Sequence, residues 1–154
     1  MKKETKFKPQ PGQVDFTDIR YCPVVNCVVK HGRKILVVER SAGMRLYPSY
    51  WNGISGFLDD RRSFEEKVRD ELEEELGLKK RNILSIQMGQ IFHQEASKYQ
   101  KTWIVHPVLV EVNTDQVTID WEAQNFQWLY PKEVKKLKLL PGFDRVLKSL
   151  FKNV

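Results

Sequence analysis

The chain has 154 residues, 41% of them hydrophobic and 30% charged, with 26 Lys and Arg against 20 Asp and Glu for a formal net charge of +6. That is the length of about one domain with a substantial core. No apolar run approaches the ~20 residues of a membrane span, and no apolar stretch follows the charged start Met1-Lys2-Lys3-Glu4-Thr5-Lys6, so no secretory signal and a cytoplasmic location are expected.

Residues 1–18 are polar and hold Pro9, Pro11 and Gly12, which reads as an N-terminal tail or arm ahead of a single domain over 19–154. Cys22 and Cys27 fall five apart in an apolar run and read as reduced core thiols. Val24–Val29 and Lys34–Val38 are β-branched and apolar, with His31-Gly32-Arg33 as a hairpin turn between them. Residues 41–56 carry Gly43, Pro48, Gly53 and Gly56 and are expected to form a long irregular loop.

Ser63 reads as an N-cap, and Ser63-Phe64-Glu65-Glu66 fits a capping box. Phe64, Val68, Leu72 and Leu76 recur every four residues as a buried stripe, and Gly77 ends the helix. Ile83–Phe92, Trp103–Val112 and Val117–Trp121 read as strands, with Gln127–Leu129 as a further short one. Pro131 opens a helix, and Pro141-Gly142 separates it from an amphipathic helix over Phe143–Phe151. Strands, a central helix, more strands and terminal helices predict an α+β (mixed α/β) domain.

Nine of the twenty acids lie in the seventeen residues from Asp59 to Glu75, so the remaining surface is more basic than the net charge suggests. Glu71, Glu74 and Glu75 stand at i, i+3 and i+4, which puts three carboxylates on one helical face. Like charges so close together are unfavourable on a bare surface. They suit a hard divalent cation held among them, and an acidic pocket in a basic surround suits a metal that receives a polyanion. An ordinary solvated acidic helix is the plainer reading of the glutamates alone.

Glycines at fixed offsets argue against that plainer reading. Gly56, Glu71, Leu72, Glu74, Glu75, Gly77 and Leu78 fall without gaps on the pattern G-x5-E-x7-R-E-U-x-E-E-x-G-U, where U is a bulky aliphatic residue. The segment therefore resembles the Nudix box. The resemblance implies an α/β/α sandwich with a mixed central sheet and a strand-loop-helix-loop catalytic motif. It also implies that Glu74 and Glu75 coordinate Mg2+ or Mn2+, with Glu71 as a further ligand or a helper in deprotonating water. The carbonyl of Ser55 would be an additional oxygen ligand. The implied activity is that of a pyrophosphohydrolase, which hydrolyses a diphosphate linkage in a nucleoside diphosphate derivative. Such substrates include nucleotide sugars, dinucleotides and nucleoside triphosphates.

Two charged positions of the box depart from the pattern, and both change sign. Arg62 stands where the pattern has Glu, and Asp70 stands where it has Arg. If the two positions face each other, the reversal keeps an ion pair. The competing view is a degenerate box on a non-catalytic nucleotide-binding or regulatory module.

Outside the box, Glu122 is the first choice for a distant acid acting as ligand or base, and Glu95 is the second. Arg40, at the end of the second predicted strand, and Arg45 in the following loop are expected to meet a substrate phosphate. Tyr47, Tyr50 and Trp51 are expected to stack on a base or ribose, with core packing as the alternative for Trp51. The expected partner is a small nucleotide-type molecule and no membrane. The basic surround leaves nucleic acid as a lesser alternative, and a homodimer stays open.

Overall fold

The computed structural model describes residues 8–152. Eight strands form one mixed sheet: β1 (Tyr21–His31), β2 (Lys34–Arg40), β3 (Trp51–Asn52), β4 (Ile54–Phe57), β5 (Ile83–Met88), β6 (Phe92–Ala96), β7 (Lys101–Val112) and β8 (Ala123–Leu129). The helices are α1 (Phe64–Leu76) and α2 (Phe143–Leu150), with a 3-10 segment over Pro131–Lys136.

β1 and β7 run parallel through the middle, in register from Tyr21↔Thr102 to Lys30↔Glu111. Each has two antiparallel partners along its outer edge. β1 pairs with β4 through Val24–Cys27 and with β2 through Val29–His31. β7 pairs with β6 through Lys101–Val105 and with β5 through Val108–Val112. The sheet therefore divides into two arms around its central pair.

Alternate residues of β1 feed two cores. Val25, Cys27 and Val29 meet Val68, Leu72 and Leu76 of α1. Cys22 and Val28 lie with Phe143, Val146 and Leu147 of α2 on the other face, together with Val134 of the 3-10 segment. A strand covered on both faces needs a near-continuous apolar run, and Val24-Val25-Asn26-Cys27-Val28-Val29 supplies it with one polar exception. Both cysteines are free and buried. Helix α1 begins with the expected capping box, in which Ser63 accepts from the Glu66 amide. It ends at Gly77 with φ 70°, whose N–H donates to the carbonyls of Glu73 and Leu72. Val68, Leu72 and Leu76 are almost wholly buried, at roughly 1.5–3 kcal/mol of stabilisation each. No helix of the described residues is long and apolar enough to cross a membrane.

Four expectations change. The single strand over Ile83–Phe92 is two, β5 and β6, broken at Gly89-Gln90-Ile91. A Cβ on Gly89 would lie 2.4 Å from Ser149 Oγ, so the chain turns where α2 leaves no room, and the Gln90 N–H donates to that same Oγ. Residues 117–121 are not a strand. The Thr118 N–H goes to the carbonyl of Leu76 at the end of α1 instead of a sheet neighbour. Within the expected irregular loop, Trp51–Asn52 and Ile54–Phe57 pair into the sheet. The Pro131 helix is a 3-10 segment of six residues.

Residues 8–18 hold no strand or helix, and their C-terminal half lies on the domain. The Val14 N–H donates to the Asp59 carbonyl at 2.6 Å. Phe16 stacks on Phe57 with ring centroids 5.8 Å apart. The buried Lys101 ammonium donates to the carbonyls of Phe16, Thr17 and Ile19. A buried cation without carbonyls around it would be costly, so this clamp fixes the arm on β7.

Candidate active site

Glycine at position 56 is required by close approach. Gly56 lies in β4 against α1, and a Cβ there would stand 2.8 Å from Glu71 Cδ and Oε1. The Glu71 carboxylate thus rests on bare backbone. Glu74 and Glu75 follow one turn later, and the turn over Asp120–Glu122 supplies two more acids. That turn is tied to the end of β2: the Ser41 N–H donates to the Glu122 carbonyl at 2.8 Å, and Ser41 Oγ donates to the Trp121 carbonyl at 2.7 Å. The Glu122 N–H donates to Asp120 Oδ1 at 3.1 Å, which holds both carboxylates in one turn.

Carboxylate oxygens of Glu75, Asp120 and Glu122 lie within 4.8 Å of one another. One oxygen of Glu75, Oε2, is buried with no hydrogen-bond partner. Burial, and then the facing charges of Glu122 and Glu71, push the Glu75 carboxyl well above the ordinary carboxylate range. Burial likewise raises Glu122, Asp120 and Glu74, the last with help from Glu71. A buried oxygen with no donor, among acids whose burial and mutual charge disfavour ionisation, is the reverse of a self-satisfied polar cluster. Hard oxygen donors at this spacing fit a divalent cation, which would supply the missing partner and ionise the group.

The reversed box positions meet. Arg62 donates from Nη1 to Asp70 Oδ2 at 2.8 Å and from Nη2 to Asp60 Oδ2 at 2.6 Å. The Arg62 hydrogen bonds hold the Asp60 carboxyl down to about 2 and raise Arg62 itself. The side chains of Arg62 and Asp70 are 33% and 46% exposed, so the pair contributes modestly. In a double-mutant cycle, Arg62→Glu and Asp70→Arg are each expected to destabilise. The double change should recover a coupling of about 0.5–1 kcal/mol, or roughly 2–3 °C in melting temperature. Recovery stays incomplete because Glu at 62 faces Asp60. Strictly additive losses would show that the pair is not coupled.

A cavity of about 670 Å3 opens beside the carboxylates, over the half of the sheet where β4 and β6 flank the central strands. Glu71, Glu74, Glu122, Ser55, Arg40 and Arg45 line it. Arg40 donates from Nε to the Leu46 carbonyl at 2.9 Å, which orders the loop after β2. Ser55 stands opposite Asn26, and its hydroxyl accepts from Asn52 Nδ2 at 3.4 Å. The apolar wall is aromatic: Phe57 packs edge-on to Trp103 at 6.0 Å, and Trp103 Nε1 donates to Tyr47 Oη at 2.9 Å.

Trp51 does not reach this cavity. It is 8% exposed, within the core on the α2 face, and its backbone bonds to Lys138 and Leu140. Glu95 is exposed on β6, bonded to Arg20 at 2.7 Å and Thr102 at 2.8 Å, and is absent from the cavity wall. Asp120 and Lys67 stand at the site although neither is among the sequence candidates. Asp120 had a signal, an acid two residues before Glu122 in one turn. Lys67 had none, since a lysine on an acidic helix reads as solvated.

The profile described as NUDIX domain matches residues 20–150. No curated protein sequence matches the chain. Among solved structures, the chain is similar to the MutT protein from Methanosarcina mazei Go1, with 18% identity and a TM-score of 0.68 over 83% of this chain and 90% of that one. It is similar to an Ap4A hydrolase from C. elegans in a binary complex, with 18% identity and a TM-score of 0.67 over 84% and 94%. It is also similar to the NUDIX domain of Shewanella oneidensis NrtR complexed with ADP ribose, with 15% identity and a TM-score of 0.70 over 84% and 86%. At these identities the structures speak for the fold. The family profile spans nearly the whole described chain, including the glycine and glutamates that build the acid-lined cavity, and so the chain belongs to the Nudix family.

Proposed function

We propose that this protein is a Mg2+- or Mn2+-dependent hydrolase of a diphosphate linkage in a nucleoside diphosphate derivative. What supports this reading is the buried Glu75 carboxyl, which has one oxygen without a hydrogen-bond donor, stands with Asp120 and Glu122, and lies behind the cavity wall that Glu71, Glu74 and Glu122 form. Glu74, Glu75, Glu122 and Asp120 would hold the metal, with Glu71 and the Ser55 carbonyl beside them. When bound, the cation neutralises charge on the diphosphate and makes water a better nucleophile.

The chain's own residues do the rest. Arg40 and Arg45, which line the cavity, receive phosphate oxygens. Phe57, Trp103 and Tyr47 offer an aromatic wall to a base. Glu122, which lines the cavity as part of that carboxylate cluster, is the residue assigned to take a proton from the attacking water. ADP ribose and Ap4A, the molecules in the names of two similar structures, are both nucleoside diphosphate derivatives and therefore head the substrate panel.

The test is product release from ADP-ribose, dinucleoside polyphosphates, nucleotide sugars and nucleoside triphosphates, with Mg2+, with Mn2+ and with chelator. Turnover of at least one class is expected with metal only, and should be lost in Glu74→Gln. Metal and nucleotide binding without any turnover would instead favour the non-catalytic module.

A further inference from the structure

A buried cation stands against the carboxylate cluster. Lys67 lies on α1 one turn before Glu71, and its side chain is only 7% exposed. A lysine almost never occupies such a position without partners. Its ammonium lies 3.1 Å from Glu71 Oε1 and 3.4 Å from Asp59 Oδ1. Asp59 is itself buried and is held from its other side, where Gln13 Nε2 donates to Oδ2 at 2.7 Å. Gly56 closes the remaining side of Glu71 with bare backbone. Lys67 and Gly56 thus confine Glu71 from two sides, and the chain Gln13–Asp59–Lys67–Glu71 runs from the N-terminal arm to the metal-side face of the helix. The box position that carries Arg in the family pattern is Asp70, which pairs outward with Arg62. The other ion pairs of helix glutamates, Arg69 with Glu65 and Lys79 with Glu73, are far more exposed.

We propose that Lys67 is a positioning residue for the reaction: it fixes the Glu71 carboxylate in the rotamer that serves the cation site, with Asp59 and the arm residue Gln13 as its supports. This rests on the metal reading given above. Charge alone and positioning predict opposite signs. Removing a cation 3.1 Å from a carboxylate tightens binding of another cation if charge is all that matters. Removing the support that orients a ligand weakens binding, commonly about 10–100-fold in affinity or activity.

The experiment is Mn2+ titration of the full chain, followed by loss of the free ion's EPR signal, in wild type, Lys67→Met and Lys67→Arg. Thermal melts run alongside to establish that each variant is folded. Lys67→Met is expected to bind Mn2+ about tenfold more weakly or worse. Lys67→Arg, which keeps a cation able to bridge two carboxylates, should stand closer to wild type than Lys67→Met does. Unchanged or tighter binding by folded Lys67→Met would overturn the proposal. Should Lys67→Met fail to fold, Gln13→Ala decides. It removes only the outer support, so weakened Mn2+ binding is expected, and unchanged binding overturns the proposal. A wild type that binds no Mn2+ would overturn the metal reading itself, which is a different failure from a wild type that binds and a Lys67→Met that binds equally well.

Discussion

Without metal, Glu75→Gln is expected to melt higher than the wild type at pH 7.5, while losing both metal stabilisation and turnover. Burial, and then the charges of Glu122 and Glu71, hold the Glu75 carboxyl well above the range it has in the unfolded chain. Folding therefore favours the protonated form. The stability this group contributes is complete below the ordinary carboxylate range and is lost as pH rises through the elevated folded value. Glu122, raised chiefly by burial, acts in the same direction.

Metal-free wild type should accordingly lose stability from about pH 5 towards neutral through these groups. A divalent cation should stabilise it increasingly as pH rises, because only the ionised cluster binds. At 100 times the Kd, metal contributes about 2.7 kcal/mol, or roughly 5–10 °C for a chain of this size. Glutamine at 75 removes the buried charge and can donate to its neighbours. A gain on the order of 3–6 °C without metal is expected. Turnover should fall about 100-fold or more, since several kcal/mol of transition-state stabilisation go with the cation. Thermal melts across pH 5–8, with and without Mg2+, check the sign. A variant that melts below wild type without metal would contradict the buried-charge account.

The second large effect is expected from Gly56→Ala. The backbone at 56 does not need a left-handed conformation, so the substitution acts only by volume. The new methyl would stand 2.8 Å from Glu71 Cδ and Oε1, closer than real Cβ atoms come to a neighbour. Lys67 and Asp59 leave the carboxylate little room to yield. Displacement of about 1 Å can cost on the order of 100-fold in rate. The expected result is a 10–100-fold fall in kcat with a folded protein and near-normal substrate KM, because the cavity's aromatic wall is untouched. A fall in KM-dependent binding alone, with kcat preserved, would show that Glu71 does not need its place on Gly56.

What was legible in the sequence was local. Ser63, Glu66 and Gly77 define α1 by contacts within a turn of its own ends, so its limits fall where the pattern puts them. The apolar periods of β1, β2 and β7 survive because each strand is buried on both faces. The misread elements depend on distant partners. Residues 117–121 have a strand's composition, but the Leu76 carbonyl at the end of α1 claims the Thr118 amide. Gly89 breaks the predicted strand because Ser149 of α2 stands against it.

The site divides in the same way. The Gly56 and glutamate spacings encode one helical face and its floor, which a sequence can display. The Arg62–Asp70 pair was readable as a double reversal because both positions sit in one motif. Asp120 and Lys67 matter through neighbours 45 and 8 residues away, Glu75 and Asp59, and such encounters leave no period in the chain. Trp51 shows the converse: an aromatic residue in a glycine-rich loop looks exposed, yet β2 and the segment around Lys138–Leu140 enclose it.

If the carboxylates around Glu75 form a divalent-cation site that serves diphosphate hydrolysis, turnover requires both the metal and Glu75. The most direct measurement is the rate of product release from the best substrate of the panel, in Mg2+, for wild type beside Glu75→Gln, with folding of both established by thermal melt. Metal-dependent turnover is expected in the wild type, abolished by chelator, with a loss of about 100-fold or more in the folded variant. Equal rates in the two proteins, or wild-type turnover that persists in excess chelator, would contradict that requirement.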